Sequence, residues 1–397
     1  MENLYANRVS ELEPSAVYDI LKYTIDGKVI AFAAGNPAPE AIPSQAIAEL
    51  SKEVILKNPI MALQYGQSQG YAPLRQQIME YLSSSQGLLN KNDDIIITCG
   101  ATQAIELVAK VFCNENDTII CENPTFIGSL SSFRSYALNI LGVSLEDDGI
   151  NLGELEQTLK NNKNIRFIYT IPNFHNPAGV TMSLQKRKSL YNLAVKYNTF
   201  ILEDDPYGSL RYMGEHIPSI KSMDQKGIVL YVGSFSKIIS PGLRVGYILL
   251  DKEHFSKFTI TKQASDVHTP LLNQMIVHQF MKQYGLDNHI QKICNIYRNK
   301  LQLTLDSLEK HLGNKISYVK PQGGLYIYCK LPDNIDMMEY WQACLDAGVA
   351  TVFGSAFLIN KDDKTQYFRI NFSTPTDDQL LRGIKILGDV FDKMSSL

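Results

Sequence analysis

Residues 228–250 read IVLYVGSFSKIISPGLRVGYILL. An apolar run, 228–232, ends in a polar loop that carries Ser234, Phe235, Ser236 and Lys237. Pro241, Gly242 and Arg244 follow, and a second apolar run, 245–250, closes the stretch. Runs this short and this rich in Val, Ile and Leu fit strands buried on both faces. The same texture recurs upstream at 94–98 (DIIIT), 118–121 (TIIC), 165–170 (IRFIYT) and 199–203 (TFILE). Helix-patterned segments lie between, such as 101–112 and 184–197. This alternation predicts an α/β domain with a mostly parallel sheet flanked by helices.

Past about residue 290 the texture changes. The pattern predicts one long helix over 288–312, strands near 316–319 and 326–330, and a helix near 337–347. Strands at 351–352 and 367–372 and a terminal helix over 377–394 follow, which together make a smaller α+β domain. The first 45 residues hold a short helix and a Gly/Pro-rich stretch, 35–43, that reads as an arm. The expected division is 1–45 for the arm and part of the small domain, 46–287 for the large domain, and 288–397 for the small C-terminal domain.

Composition narrows the function classes. Of 397 residues, 45% are hydrophobic, and 38 basic against 41 acidic side chains leave a net charge of −3. A near-neutral chain without a basic block is a poor binder of nucleic acid or anionic membrane. No apolar run approaches the ~20 residues of a membrane helix, and the N-terminus lacks the apolar core of a signal peptide. The six cysteines are scattered with no CxxC, so they read as reduced thiols of a cytoplasmic protein, without a disulfide frame or metal site.

Four loops carry the chemistry. Lys237, in its Ser-rich loop at a strand end, sits where open α/β sheets bind ligands. Ser234, Ser236 and Arg244 can hold a phosphate, and the lysine can be a nucleophile toward an aldehyde. A solvated strand-to-turn connection is the plainer alternative. Glu203-Asp204-Asp205-Pro206-Tyr207 can be a turn, a weak metal site, or an acid facing a protonated ring nitrogen with a phenol beside a ring oxygen. Residues 172–179 (PNFHNPAG) form a Pro/Gly/Asn turn in which Asn176 can donate an amide NH2; His175 reads as a loop histidine. At Cys99-Gly100-Ala101-Thr102, a glycine before a helix start lets the backbone approach an anion.

Seven motifs then occur in order. They are YGxxxGxxxLR at 65–75, the Gly100-Ala101-Thr102 turn, Asn123-Pro124-Thr125-Phe126, PNFHNPAG, EDDPY at 203–207, SFSKxxxPGLRxGY at 234–247, and FRINFS at 368–373. On these the chain resembles the pyridoxal 5'-phosphate (PLP) enzymes of fold type I, specifically the class I/II aminotransferases. The subgroup it resembles is the kynurenine/2-aminoadipate aminotransferase-like one, which also supplies the effector domains of MocR-type regulators.

The resemblance implies a seven-stranded, mostly parallel sheet and a site residue by residue. Lys237 is implied as the lysine that bonds the cofactor and moves the Cα proton, and Asp204 as the partner of the pyridinium nitrogen. Tyr207 and Asn176 are implied at the ring's phenolate oxygen. Ser234, Ser236, Arg244 and the Ala101-Thr102 turn are implied at the phosphate, with Ala101 offering only its backbone N–H. Phe126, where many relatives have Tyr, is implied on the ring face. Arg369 is implied as the clamp for the substrate carboxylate, and Gly35 as a backbone approach to the substrate. Tyr65 is implied to reach the phosphate of a neighbouring subunit, which makes an obligate homodimer with shared sites.

The activity implied is ping-pong transfer of an amino group between an amino acid and a 2-oxo acid, with glutamate and 2-oxoglutarate as the default pair. A C–S lyase on the same fold is the nearest alternative. A ligand-sensing regulator domain is disfavoured, since only ~35 residues precede the fold and the charge is slightly negative. Arg8, Leu12 and Tyr18, on the arm that covers the substrate in relatives, are the first candidates for side-chain selection.

Overall fold

A computed structural model describes residues 5–10, 12, 14, 20, 22–23 and 27–396. After a two-residue strand, β1 (Ile30–Ala31), eight strands form one sheet. They are β2 (Asp93–Thr98), β3 (Thr118–Asn123), β4 (Asn139–Glu146), β5 (Gly149–Ile150), β6 (Phe167–Thr170), β7 (Phe200–Asp204), β8 (Val229–Ser234) and β9 (Gly246–Asp251). Their spatial order is β2-β9-β8-β7-β6-β3-β4-β5. The expected seven strands are present, extended by β5, which folds back antiparallel on β4. All pairings from β8 to β4 are parallel, and β9 runs antiparallel to both its neighbours. Because β9 is reversed, its start lies beside the C-terminal ends of the others. The loop from Ser234 to Arg244 therefore opens onto the same edge as every other strand-end loop.

Burial explains the central strands. Every residue of β6 and β8 is buried, as a parallel sheet covered on both faces requires. The helix over Leu184–Tyr197 starts where the Ser183 side chain accepts a hydrogen bond from the Lys186 N–H, and stops at Asn198 in the left-handed region. Strand β4 is the element the apolar-run reading passes over. Only Val143 of its eight residues is fully buried and the rest are half-buried or exposed, so it lacks the fully buried character of the inner strands.

The C-terminal part has a second, antiparallel sheet. Its strands are β10 (Ser317–Tyr318), β11 (Tyr326–Lys330), β13 (Val352–Phe353) and β14 (Tyr367–Asn371), in the order β10-β11-β14-β13; β12 (Val349–Ala350) pairs in parallel with β1. A 26-residue helix, Leu286–His311, packs along a terminal helix, Asp377–Ser395. The terminal helix opens with a capping box, in which Thr376 and Gln379 satisfy each other's backbone N–H groups. Segment 32–36 is stitched to β14, where the Asn371 N–H donates to the Phe32 carbonyl at 2.9 Å. Arg369 on β14 is thereby brought against the C-terminal edge of the large sheet. Among the described residues, no helix is long and apolar enough to cross a membrane.

Candidate active site

Five strand ends converge on one cavity of about 350 Å³. Gly35, Ala101, Thr102, Phe126, Asn176 and Asp204 line it, together with Tyr207, Ser234, Ser236, Lys237, Arg244 and Arg369. Twelve of the residues singled out from sequence thus meet in one place. Tyr65 does not line this cavity; it is 80% exposed, its ring edge-on to His268. Arg8 and Leu12 are exposed and do not line it either, and Tyr18 lies outside the described residues.

Lys237 is part-buried, and its Nζ donates to the Gly35 carbonyl at 2.7 Å. Burial pulls its ammonium below the usual lysine range; Arg369 and Arg244 act in the same direction, while Tyr326 opposes them. A lysine depressed by desolvation and neighbouring cations is a lysine prepared to act as a nucleophile. Gly35 is required here as a glycine, since a Cβ at that position would overlap the Tyr326 hydroxyl.

Asp204 ends β7 and is 2% exposed. Its Oδ2 accepts from the Tyr169 hydroxyl at 2.7 Å, but its Oδ1 is buried without a hydrogen-bond partner. Burial pushes this carboxyl up to about 7, with Asp205 and Glu122 adding to the effect and Tyr169 opposing it. An orphaned carboxylate oxygen lining a cavity calls for a cationic N–H. A protonated ring nitrogen fits that requirement.

At the other end, Arg244 is in the left-handed region and its Nη2 donates to the Cys99 carbonyl at 3.1 Å. Gly100, at φ +73°, has no room for a side chain, because a Cβ would lie 2.5 Å from Nη2 of Arg244. The helix Gly100–Phe112 has no side-chain N-cap, so its first N–H groups stay available beside the cavity. The Ser234 hydroxyl accepts from the Ser236 N–H at 3.1 Å and lies 3.0 Å from the Ser236 hydroxyl. Two hydroxyls, a guanidinium and a helix start make an anion cradle. Substituting Gly100 by Ala should displace Arg244 and weaken anion binding at this cradle by roughly tenfold or more; equilibrium dialysis against inorganic phosphate measures it.

Arg369 is 2% exposed. It donates from Nη1 to Asn176 Oδ1 at 2.7 Å and from Nη2 to the Ala33 carbonyl at 2.8 Å, while Nε has no partner. Its guanidinium lies 4.3 Å from the centre of the Tyr326 ring and 4.9 Å from that of Phe357. No carboxylate among the described residues pairs with it. A buried cation without a counter-ion is costly unless a ligand anion completes it. The Arg369 contact also occupies the Asn176 oxygen, which leaves the amide NH2 as the donor available to the cavity.

Three contributors escaped the sequence reading. Tyr326, on β11, lines the cavity, faces Tyr207 edge-on at 5.8 Å and stacks on Arg369. Tyr169 holds Asp204 from behind. Glu122, at 1% exposure, accepts from Thr170 and from the Ile171 N–H and lies 3.2 Å from His175 Nε2. His175 is on a loop as expected but buried, its ring beside Glu122 of β3. All three sit inside ordinary apolar strands, so spacing carried no signal for them.

The family described as aminotransferase class I and II matches residues 27–387. The aromatic-amino-acid aminotransferase 1 of Thermococcus litoralis is 36% identical over 98% of this chain and 94% of that protein. The 2-aminoadipate transaminase of Thermus thermophilus is 32% identical over 97% of this chain and 95% of its own. A crystal structure of Pyrococcus horikoshii kynurenine aminotransferase, in complex with PMP and with KYN and KYA as substrates and products, superposes with a TM-score of 0.94. It is 35% identical and covers 99% of this chain and 98% of that one.

Proposed function

Because the chain belongs to the class I and II aminotransferases, we propose that pyridoxal 5'-phosphate occupies the cavity at Lys237 and that the site exchanges amino groups between an α-amino acid and a 2-oxo acid. The observation that carries this reading is the buried, unpartnered Oδ1 of Asp204 in the same cavity as the part-buried amine of Lys237 and the unpaired Arg369. When bound, the cofactor supplies an aldehyde for the amino group and a cationic ring that takes up the electrons released at Cα.

The chain's own residues do the rest. Lys237 would hold the cofactor through Nζ, and the same nitrogen, once freed by an incoming amino acid, is the base that moves the Cα proton. Asp204 keeps the ring nitrogen protonated. Tyr207 and Asn176 donate to the ring's phenolate oxygen, and Phe126 covers one ring face. Ser234, Ser236, Arg244 and the N–H groups of Ala101 and Thr102 bind the phosphate. Arg369 reads the α-carboxylate with its planar fork, and the Gly35 segment lies along the substrate. One 2-oxo acid leaves before the next enters, with glutamate and 2-oxoglutarate as the proposed common pair. The test is a panel of amino donors with 2-oxoglutarate on PLP-loaded protein, with Lys237→Ala as the blank; no product from any donor would refute the reading.

A homodimer belongs to the same proposal. Leu56, Ile60, Leu63 and Tyr65 are each at least 66% exposed along one short stretch. Large apolar side chains exposed this fully and this close together in sequence fit an interface between copies, and Tyr65 among them would reach the partner's phosphate. Mixing Tyr65→Ala with Lys237→Ala subunits should therefore restore activity above either parent, because each mixed dimer carries one site free of both changes. Activity that stays at the mean of the two parents would refute sharing.

A further inference from the structure

Behind Asp204 runs a chain of hydroxyls that the roles above do not use. The Ser129 hydroxyl donates to the Tyr169 oxygen at 2.7 Å, and the Tyr169 hydroxyl donates to Asp204 Oδ2 at 2.7 Å. Ser129 is 1% exposed and Tyr169 0%. The Tyr169 ring is wedged edge-on against Phe133 at 5.4 Å, so the phenol cannot swing away. Ser129 sits on the helix Ile127–Arg134, which begins directly after Phe126.

We propose that Tyr169 and Ser129 are positioning residues for the cofactor's ring nitrogen: the Ser129–Tyr169–Asp204 chain satisfies Oδ2 from behind, turns Oδ1 into the cavity, and holds the shared proton on the ring. The direction follows from the donors. With Ser129 donating to the phenol oxygen, the phenol's own proton goes to Asp204, and a donor on a carboxylate favours its charged form. The other groups facing Asp204 act oppositely. Asp205 and Glu122 repel its charge, and burial disfavours it. The phenol lies beside Cys121 on the neighbouring strand, and Tyr207 lines the same cavity as Asp204. Tyr169 is therefore the group that opposes these effects and favours the charged form of the acid. Without it, the proton between ring nitrogen and Asp204 shifts toward the acid, and the ring loses the charge that draws electrons from Cα.

The inference rests on the PLP reading, which the parent protein decides first: a PLP-loaded parent without a visible absorbance band would refute that reading itself. With the band in hand, Tyr169→Phe and Ser129→Ala are loaded and titrated across pH. A less cationic ring raises the proton affinity of the Lys237 nitrogen, so the midpoint of the absorbance change should move to higher pH in Tyr169→Phe and by less in Ser129→Ala. Turnover in Tyr169→Phe should fall by roughly tenfold or more, with KM for the 2-oxo acid near the parent's because Arg369 is untouched. Midpoints equal to the parent's in both variants would overturn the proposal, whatever the loss in turnover. Should Tyr169→Phe fail to fold, the midpoint of Ser129→Ala decides alone.

Discussion

Asp204→Asn should lose turnover by roughly a hundredfold to a thousandfold, the size expected when a preorganised charge at the reacting group is removed. The PLP-free variant should at the same time melt several degrees higher than the parent at pH 8. The reason is the cost of the native residue. Its carboxyl titrates at about 7 in the folded chain against an ordinary value of 3.8. Between those values the folded chain holds a proton that the unfolded chain has released, so stability falls as pH rises through that interval. The penalty is complete above about pH 7 and absent below pH 4. Thermal melts of the PLP-free proteins at pH 8, 6 and 4 should therefore show an advantage for Asp204→Asn that shrinks as pH falls. An equal difference at all three values would show that Oδ1 carries no uncompensated charge.

Arg369→Lys should lower kcat/KM by roughly a hundredfold for amino acid and 2-oxo acid alike. Lysine keeps the positive charge but cannot present two parallel N–H donors to a carboxylate. It also cannot reproduce the contacts to Asn176 and the Ala33 carbonyl while lying flat between the Tyr326 and Phe357 rings. Because Arg369 orients Asn176, the variant should also disturb the phenolate side of the cofactor. Steady-state kinetics with both substrates varied, together with the absorbance maximum of the loaded protein, check this. A KM raised for one substrate class alone would assign Arg369 to the side chain instead of the shared carboxylate.

The large sheet was legible because its inner strands are buried on both faces and appear as continuous apolar runs; β6 and β8 are buried at every residue. Strand β4 was not, since only one of its eight positions is fully buried and a glycine and a serine interrupt its apolar residues. The candidate site was legible where chemistry sits in loops. Lys237, Arg244 and Asn176 stand out as polar residues beside Gly and Pro at strand ends. Tyr326 and Tyr169 did not stand out, because an aromatic inside a strand looks the same whether it packs a core or supports an active site. Their function comes from long-range neighbours: Tyr326 meets Gly35 and Arg369, and Tyr169 meets Ser129 and Asp204. No local pattern encodes those pairings.

Every role assigned to the cavity depends on the side-chain nitrogen at 237 bonding the cofactor. Borohydride reduction of the PLP-loaded protein, followed by proteolysis and peptide mass measurement, tests that dependence directly. The account predicts a permanent adduct on the peptide containing Lys237, absent from Lys237→Ala prepared in parallel. An adduct on another lysine, or no adduct in a protein that nonetheless transaminates, would contradict it.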